Sequence, residues 1–214
     1  GLMGYPVIDV GYLLAPRGVG TMFAMMLVGR LSGRVDVRIL ILLGLLLTSF
    51  SMWEMTLFNT DISSWDIVRT GIVQGLGLGF IFVPLSTITF ATLAPRYRNE
   101  GTALFSLVRN IGSSIGISVV ITYLAQRTQM NHEVFASYIT PFNAGLQQGM
   151  GTAALVTPKG LAMLNGEVTR QASLLAYLQD FRLMMWVSLC AIPLVLLLKA
   201  PKRGGGKEAL AILE

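Results

Sequence analysis

Polar side chains inside apolar stretches are the residues of this sequence that could do chemistry. They are Arg17, Gln74, Arg109, Asn110 and Ser113. A charge at the centre of a membrane costs about 2.5 kcal/mol or more, so a buried arginine must face protein or water and find a partner. Guanidinium, amide and hydroxyl groups hold a solute by charge and hydrogen bonds. We therefore take these five residues as candidates for lining a substrate path.

Each candidate also has a structural interpretation. Arg109 shares a helix face with Ser113, which suggests a path, but the structural interpretation, in which its guanidinium binds carbonyl groups of a neighbouring helix, is slightly favoured. For Arg17 the structural interpretation is favoured, because Pro16 frees a carbonyl in the preceding turn. Phe82 either contacts an aromatic substrate or packs against a helix.

The sequence offers no set of residues for enzymatic catalysis. No Ser/His/Asp set, paired carboxylates or phosphate loop can be assembled from it, and His132 has no second metal ligand nearby. The run Gly75–Gly79 lacks the spacing and the later acidic residue of a dinucleotide site. The basic residues are scattered, which is untypical of nucleic-acid binding. We predict no enzyme, no cofactor, no metal site and no nucleic-acid partner.

Long apolar runs position these residues. The sequence is 53% apolar and 13% charged, and the run from Thr70 to Pro95 has no charged residue. Such a run can cross a hydrocarbon core about 30 Å thick as a helix. The sequence predicts an all-α membrane protein with five transmembrane helices, at about residues 7–29, 39–58, 66–93, 101–125 and 181–198. Residues 126–180 form a connection with short helices, and residues 199–214 form a tail.

Small residues recur along two of the predicted helices. Gly71, Gly75 and Gly79 recur at every fourth position, so they lie on one face where another helix can approach closely. Gly112 and Gly116 form a second small-residue face. We expect these faces, together with Pro84 inside the third helix, to serve helix packing or gating.

Basic residues predict the orientation, because Lys and Arg are retained in cytoplasmic loops. One side of the predicted membrane carries only three, Arg127, Lys159 and Arg170. The other side carries most of them, namely Arg30, Arg34, Arg38, Arg96, Arg98, Lys199, Lys202, Arg203 and Lys207. We predict a cytoplasmic tail and an extracytoplasmic connection. Four carboxylates near the outer boundary, Asp9, Glu54, Asp66 and Asp180, are not assigned as proton carriers.

The order of these motifs resembles the carboxy-terminal part of a major facilitator transporter, specifically the fourteen-span drug:proton antiporter family of the EmrB/QacA type. The resemblance covers nearly the whole chain. The cytoplasmic loop motif consists of Gly29, Arg30, Arg34 and Arg38, with Gly33 where the family has Asp. The other motifs are Leu14-Ala15-Pro16-Arg17-Gly18, Gln74–Gly79 through Pro84-Leu85, and Arg109-Asn110 with Gly112, Ser113, Ile115 and Gly116.

The resemblance implies that these helices are the last five of fourteen and form most of the carboxy-terminal bundle. The first, third and fourth helices would line a cavity, and an amino-terminal half would complete the transporter. The implied activity is proton-coupled export of hydrophobic or cationic compounds across a cell inner membrane. Two alternatives remain open. In the first alternative, the chain belongs to a carrier of another solute. In the second, its connection at residues 126–170 docks a periplasmic adaptor.

Overall fold

Five long helices account for most of the chain. A computed structural model describes residues 6–31, 34–59, 62–91, 93–140 and 157–197. The helices are α1 (Val7–Leu31), α2 (Val37–Met55), α3 (Ser64–Ala91), α4 (Arg98–Ser137) and α5 (Pro158–Leu197), with a short 3₁₀ turn at Pro95–Tyr97 before α4. Within the described residues all five helices are long and apolar enough to cross a membrane. The prediction of an all-α protein with five such helices is confirmed.

The packing order differs from the order in the sequence. α3 lies between α1 and α2, α5 packs on the other side of α2, and α4 packs on α5. The core has two parts. In the first, Ala24 of α1, Leu40 of α2 and Phe80 of α3 meet. In the second, Ile41 of α2 packs with Val195 of α5.

One face of α2 has no partner in the described chain. Five large apolar side chains are exposed along it at helical spacing: Ile39, Leu43, Leu46, Phe50 and Trp53. The opposite faces of α2 contact α3 and α5. A helix presents an unbroken apolar stripe of this kind to lipid or to a further helix, because contact between apolar side chains and water is unfavourable.

The connection between the fourth and fifth helices differs from the sequence expectation of short helices over residues 126–180. α4 continues to Ser137, α5 begins at Pro158, and each has 40 residues. At about 1.5 Å per residue each helix is roughly 60 Å long, about twice the hydrocarbon thickness. Residues 141–156 of the connection and the tail at 199–214 lie outside the described residues.

Local sequence explains the early start of α5. Thr157 precedes the helix and accepts a hydrogen bond on its Oγ1 from the backbone N–H of Gly160, at 3.2 Å. Pro158 takes the first helical position, where its missing N–H costs nothing and its fixed φ suits the helix. The proline that reads as a loop signal is therefore a helix start. Between Gln126 and Ser137 no glycine or proline interrupts α4.

Candidate functional site

The middle of α4 carries the polar residues that the sequence analysis expected along a path. No residue of α4 is buried. Arg109, Asn110 and Ser113 are all exposed, and Gly112 and Gly116 have no atom within 4 Å of an added Cβ. This part of α4, from Arg109 to Gly116, is called the open face below. It is free of packing contacts at its glycines, so they do not serve helix packing within the described chain.

Arg109 and Phe82 meet between α4 and α3. The guanidinium carbon of Arg109 lies 5.4 Å from the centroid of the Phe82 ring. A cation over an aromatic face within about 6 Å is attracted by the ring quadrupole, with about 0.5–1 kcal/mol at exposed sites. Nearer the 3₁₀ turn, Phe90 and Phe105 make an edge-to-face contact with centroids 5.6 Å apart. The structure therefore brings together Arg109 and Phe82, two candidate path residues from separate helices.

Arg17 lies at the seam between α1 and α3. Its Cβ is 3.7 Å from the position that a Cβ on Gly71 would take, and its backbone oxygen accepts a hydrogen bond from Thr21 Oγ1 at 3.0 Å. The residue itself is exposed. Within the described residues the guanidinium of Arg17 makes no hydrogen bond or ion pair, so the carbonyl freed by Pro16 does not hold it.

Gln74 was expected along the path, and the structure places it elsewhere. Its side chain is buried, and Nε2 donates to the sulfur of Met52 on α2 at 3.8 Å. The reason is that α3 is sandwiched between two helices, so a polar residue within it faces a neighbour and not an open surface. Gln74 therefore belongs to the packing between α2 and α3.

The glycine stripe of α3 lies against α1. A Cβ on Gly75 would collide with the backbone oxygen of Arg17 and come within 3.0 Å of the Thr21 backbone nitrogen. A Cβ on Gly79 would lie 2.9 Å from the backbone oxygen of Thr21. The two backbones approach so closely that no side chain fits at Gly75. Pro84, further along the same helix, is fully buried.

A second close contact, between α2 and α3, was not predicted from the sequence. A Cβ on Gly44 would lie 2.8 Å from the backbone oxygen of Gly77, and one on Gly77 would lie 2.9 Å from that of Gly44. On α1, Gly20 approaches the backbone oxygen of Ile72 in the same way, at 2.7 Å. The spacing in the sequence shows a stripe within one helix, but only the packing shows which glycines of different helices meet.

An ion pair joins α2 and α3 near the turn that connects them. Arg69 Nη2 lies 2.7 Å from Glu54 Oε1, and the exposed fractions of the two side chains are 54% and 12%. Nearby, the buried Ser51 donates to the backbone oxygen of Thr70 at 2.9 Å. Arg69 was not predicted from the sequence to have a role. Two features of the sequence could have indicated the ion pair. Arg69 directly precedes a run without charged residues, and it lies opposite Glu54 if the two helices are antiparallel.

The predicted cytoplasmic loop motif lies at the junction of α1 and α2. Gly29 and Arg30 are exposed in the last turn of α1, where a basic residue suits the helix dipole. The backbone N–H of Arg34 donates to Leu31 O at 2.8 Å. Arg38 lies in the first turn of α2, and its Nε is buried without a hydrogen-bond partner. In the part of the chain that the structure describes, no three His, Cys, Asp or Glu side chains form a metal-binding group.

Comparison with known proteins places these features in a family. The Major Facilitator Superfamily model matches residues 3–196. The chain is 29% identical to the Fatty acid resistance protein FarB of Neisseria gonorrhoeae over 95% of its own length and 41% of that protein. It is 25% identical to the Probable multidrug resistance protein EmrY of Escherichia coli strain K12, covering 85% of the chain and 36% of the relative. It is 23% identical to the Multidrug export protein EmrB of the same strain, over 95% of the chain and 40% of that relative. The chain thus spans about two fifths of the length of these relatives.

Proposed function

The chain belongs to the major facilitator superfamily, and from this premise we propose that it forms the carboxy-terminal part of a proton-coupled exporter of hydrophobic compounds. The observation that carries the proposal is the open face of α4, where Arg109 stacks on Phe82 of α3. In such transporters the substrate binds near the bilayer midplane, between two halves of the molecule. An amino-terminal half facing α1, α3 and α4 would enclose Arg17 and Arg109.

The charges favour one class of hydrophobic substrate. Arg17 and Arg109 are exposed, and in the described residues neither pairs with a carboxylate. Once an amino-terminal half encloses them and excludes water, their guanidiniums attract an anion and repel a cation. We therefore favour an anionic amphiphile, such as a fatty acid, over the cationic drugs that the resemblance also allows. The name of the relative FarB, a fatty acid resistance protein, supports the same choice.

The proton coupling, the inner-membrane location and the cytoplasmic tail complete the proposal. They are supported by the resemblance and by the distribution of basic residues. The described open face of α4, from Arg109 to Gly116, contains no carboxylate. The resemblance implies that the proton-carrying carboxylates lie mainly in the amino-terminal half.

Efflux from cells that express the full-length protein tests this function. We expect cells loaded with a fluorescent long-chain fatty acid to lose it faster than cells without the protein, and an uncoupler to abolish the difference. A cationic dye of similar size serves as the comparison substrate. Export of the dye but not of the fatty acid would overturn the charge assignment. Export that persists after the proton gradient has collapsed would overturn the coupling.

A second candidate function is docking of a periplasmic adaptor protein by the far ends of α4 and α5. Hydrogen bonds join these ends. Asn131 Nδ2 donates to Ala172 O at 3.4 Å, and His132 Nε2 lies 3.0 Å from Asn165 Oδ1. Two helices about twice as long as a membrane requires favour a role outside the bilayer. Pull-down of membrane partners with the full-length protein, with and without residues 126–170, tests it. Equal recovery of partners from both forms would contradict docking.

A further inference from the structure

A large cleft lies between α4 and α5. Its volume is about 780 Å³, and its walls come from one turn of α4 and from four turns of α5. None of the residues that line it belongs to the open face of α4, and Arg17 and Phe82 do not line it either. The cleft is therefore a separate surface from the proposed substrate path.

Two arginines line this cleft. Arg127 of α4 and Arg182 of α5 both line it, and the guanidinium carbon of Arg127 lies 5.0 Å from the ring centroid of Tyr123. Within the described chain neither arginine forms an ion pair with a carboxylate. Two unpaired cations facing one cavity repel each other, so an anion between them would be bound favourably.

The rest of the cleft is apolar and has the depth of a lipid leaflet. It continues along α5 past Leu183 and Val187 to Leu194. From residue 182 to residue 194, at about 1.5 Å per residue, the wall is about 18 Å long. Half of a hydrocarbon core of about 30 Å is about 15 Å. A molecule that fills the cleft therefore needs an anionic head and a chain that reaches roughly to the bilayer midplane.

We propose that this cleft binds an anionic phospholipid, with its phosphate between Arg127 and Arg182 and an acyl chain along Leu183, Val187 and Leu194. Arginine pairs with phosphate by parallel N–H···O bonds, which suits a phosphodiester. The headgroup has a second partner, since Gln179 lines the same cleft and its Oε1 is buried without a hydrogen-bond partner. A headgroup hydroxyl, as in a phosphatidylglycerol, would donate to it.

Native mass spectrometry of the full-length protein measures this binding. We expect phosphatidylglycerol to remain bound where phosphatidylcholine of the same chain length dissociates. One arginine near a membrane surface contributes about 1 kcal/mol to binding of anionic lipid, so Arg127→Gln and Arg182→Gln each weaken the affinity about fivefold. Lys159→Gln removes the same charge from an exposed site on α5 outside the cleft and serves as the matched control. Equal affinities for the two lipids, or equal losses in all three variants, would overturn the proposal.

Cys190 gives a second measurement that needs no arginine variant. It is the single cysteine of this sequence and lines the cleft. We expect N-ethylmaleimide to modify it several-fold more slowly in nanodiscs that contain phosphatidylglycerol than in nanodiscs of phosphatidylcholine alone. An unchanged rate would overturn the proposal, because the cleft would then be empty or filled by either lipid.

A competition experiment separates this cleft from the proposed export of fatty acids. We expect a long-chain fatty acid, added at the concentration that saturates efflux, to leave phosphatidylglycerol bound. Displacement of the lipid by the fatty acid would assign the cleft to the transported substrate and overturn the phospholipid assignment. Loss of lipid binding in Arg182→Gln with efflux retained would leave the proposed function intact and support a separate site.

Discussion

The guanidinium of Arg109 lies over the ring of Phe82, with 5.4 Å between the guanidinium carbon and the ring centroid. The contact joins the exposed helix α4 to α3, which lies between α1 and α2. It supplies a positive charge and an aromatic surface side by side on a face that no described part of the chain covers. That combination suits an amphiphile with an anionic head.

The first prediction concerns Arg109 itself. Because its side chain is exposed and makes no ion pair within the described residues, Arg109→Ala is expected to keep most of the folded yield and lose most of the efflux. Arg109→Lys keeps the charge and should retain partial efflux. The matched control is Arg98→Ala, an exposed arginine in the first turn of the same helix. Loss of folded yield in both Arg109 variants would show a structural role instead.

The second prediction concerns the contact between α1 and α3. Gly75→Leu places a side chain where the backbone of Arg17 lies, so the bundle cannot close. Overpacking of a dense interior costs about 1–3 kcal/mol even for small additions. We expect a large loss of folded, monodisperse protein for Gly75→Leu by size-exclusion chromatography in detergent. Gly112→Leu adds the same side chain in open space and should leave the yield unchanged. Normal assembly of Gly75→Leu would refute the close approach.

The third prediction concerns the ion pair between Glu54 and Arg69. Arg69 is half-exposed, so solvent screens the pair, and its coupling energy is expected to be about 0.2–1 kcal/mol. A double-mutant cycle with Glu54→Gln and Arg69→Gln, read by thermal unfolding in detergent, measures it. Each single variant should be destabilised, and the double variant should be destabilised by less than the sum. Additive losses would mean that the two side chains do not interact.

The fourth prediction concerns Glu167, in the part of α5 that lies before its long apolar stretch. Hydrogen bonds from Arg170, with distances of 2.7 and 2.9 Å, and then from Gln171 lower the pKa of Glu167 from 4.5 to about 2. A lowered pKa in the folded state stabilises the protein above the unfolded pKa, and this contribution is lost as the pH falls from about 4.5 to about 2. The carboxylate is fully exposed, so the effect on stability is small.

Carbon-13 NMR of the Glu167 carboxyl group checks this directly. We expect its titration midpoint near pH 2 in the full-length protein and a higher midpoint in Arg170→Gln, where the hydrogen bonds that lower the pKa most are gone. A midpoint near 4.5 in both proteins would mean that the hydrogen bonds do not form in solution.

Composition and apolar run lengths were sufficient to predict the helical class and the five candidate spans. The bounds were less predictable at the fourth and fifth helices. Polar residues such as Gln126 and Asn131 are ordinary in a helix outside a membrane, so apolar run length underestimates α4. The start of α5 depends on Thr157, whose Oγ1 accepts a hydrogen bond from the backbone N–H of Gly160, and apolar run length does not show this.

The candidate site shows the limit of single-helix patterns. Periodicity places Arg109 and Ser113 on one face of α4, but it cannot show that Phe82 of another helix lies under the guanidinium. It also cannot show that Gln74 faces α2, because that depends on which helices flank α3. The cleft beside Arg182 is lined by two helices that are far apart in the sequence, so no local pattern encodes it.

The most direct test of the central claim is the water accessibility of the open face of α4. In the full-length protein with Cys190 replaced by serine and no other cysteine, Ser113→Cys introduces a thiol on the open face, and Leu46→Cys introduces one on the exposed apolar stripe of α2. The account predicts that a charged, membrane-impermeant thiol reagent labels Ser113→Cys rapidly, that substrate slows this labelling, and that Leu46→Cys stays unlabelled. Labelling of Leu46→Cys with Ser113→Cys protected would contradict the account, because the open face of α4 would then face lipid.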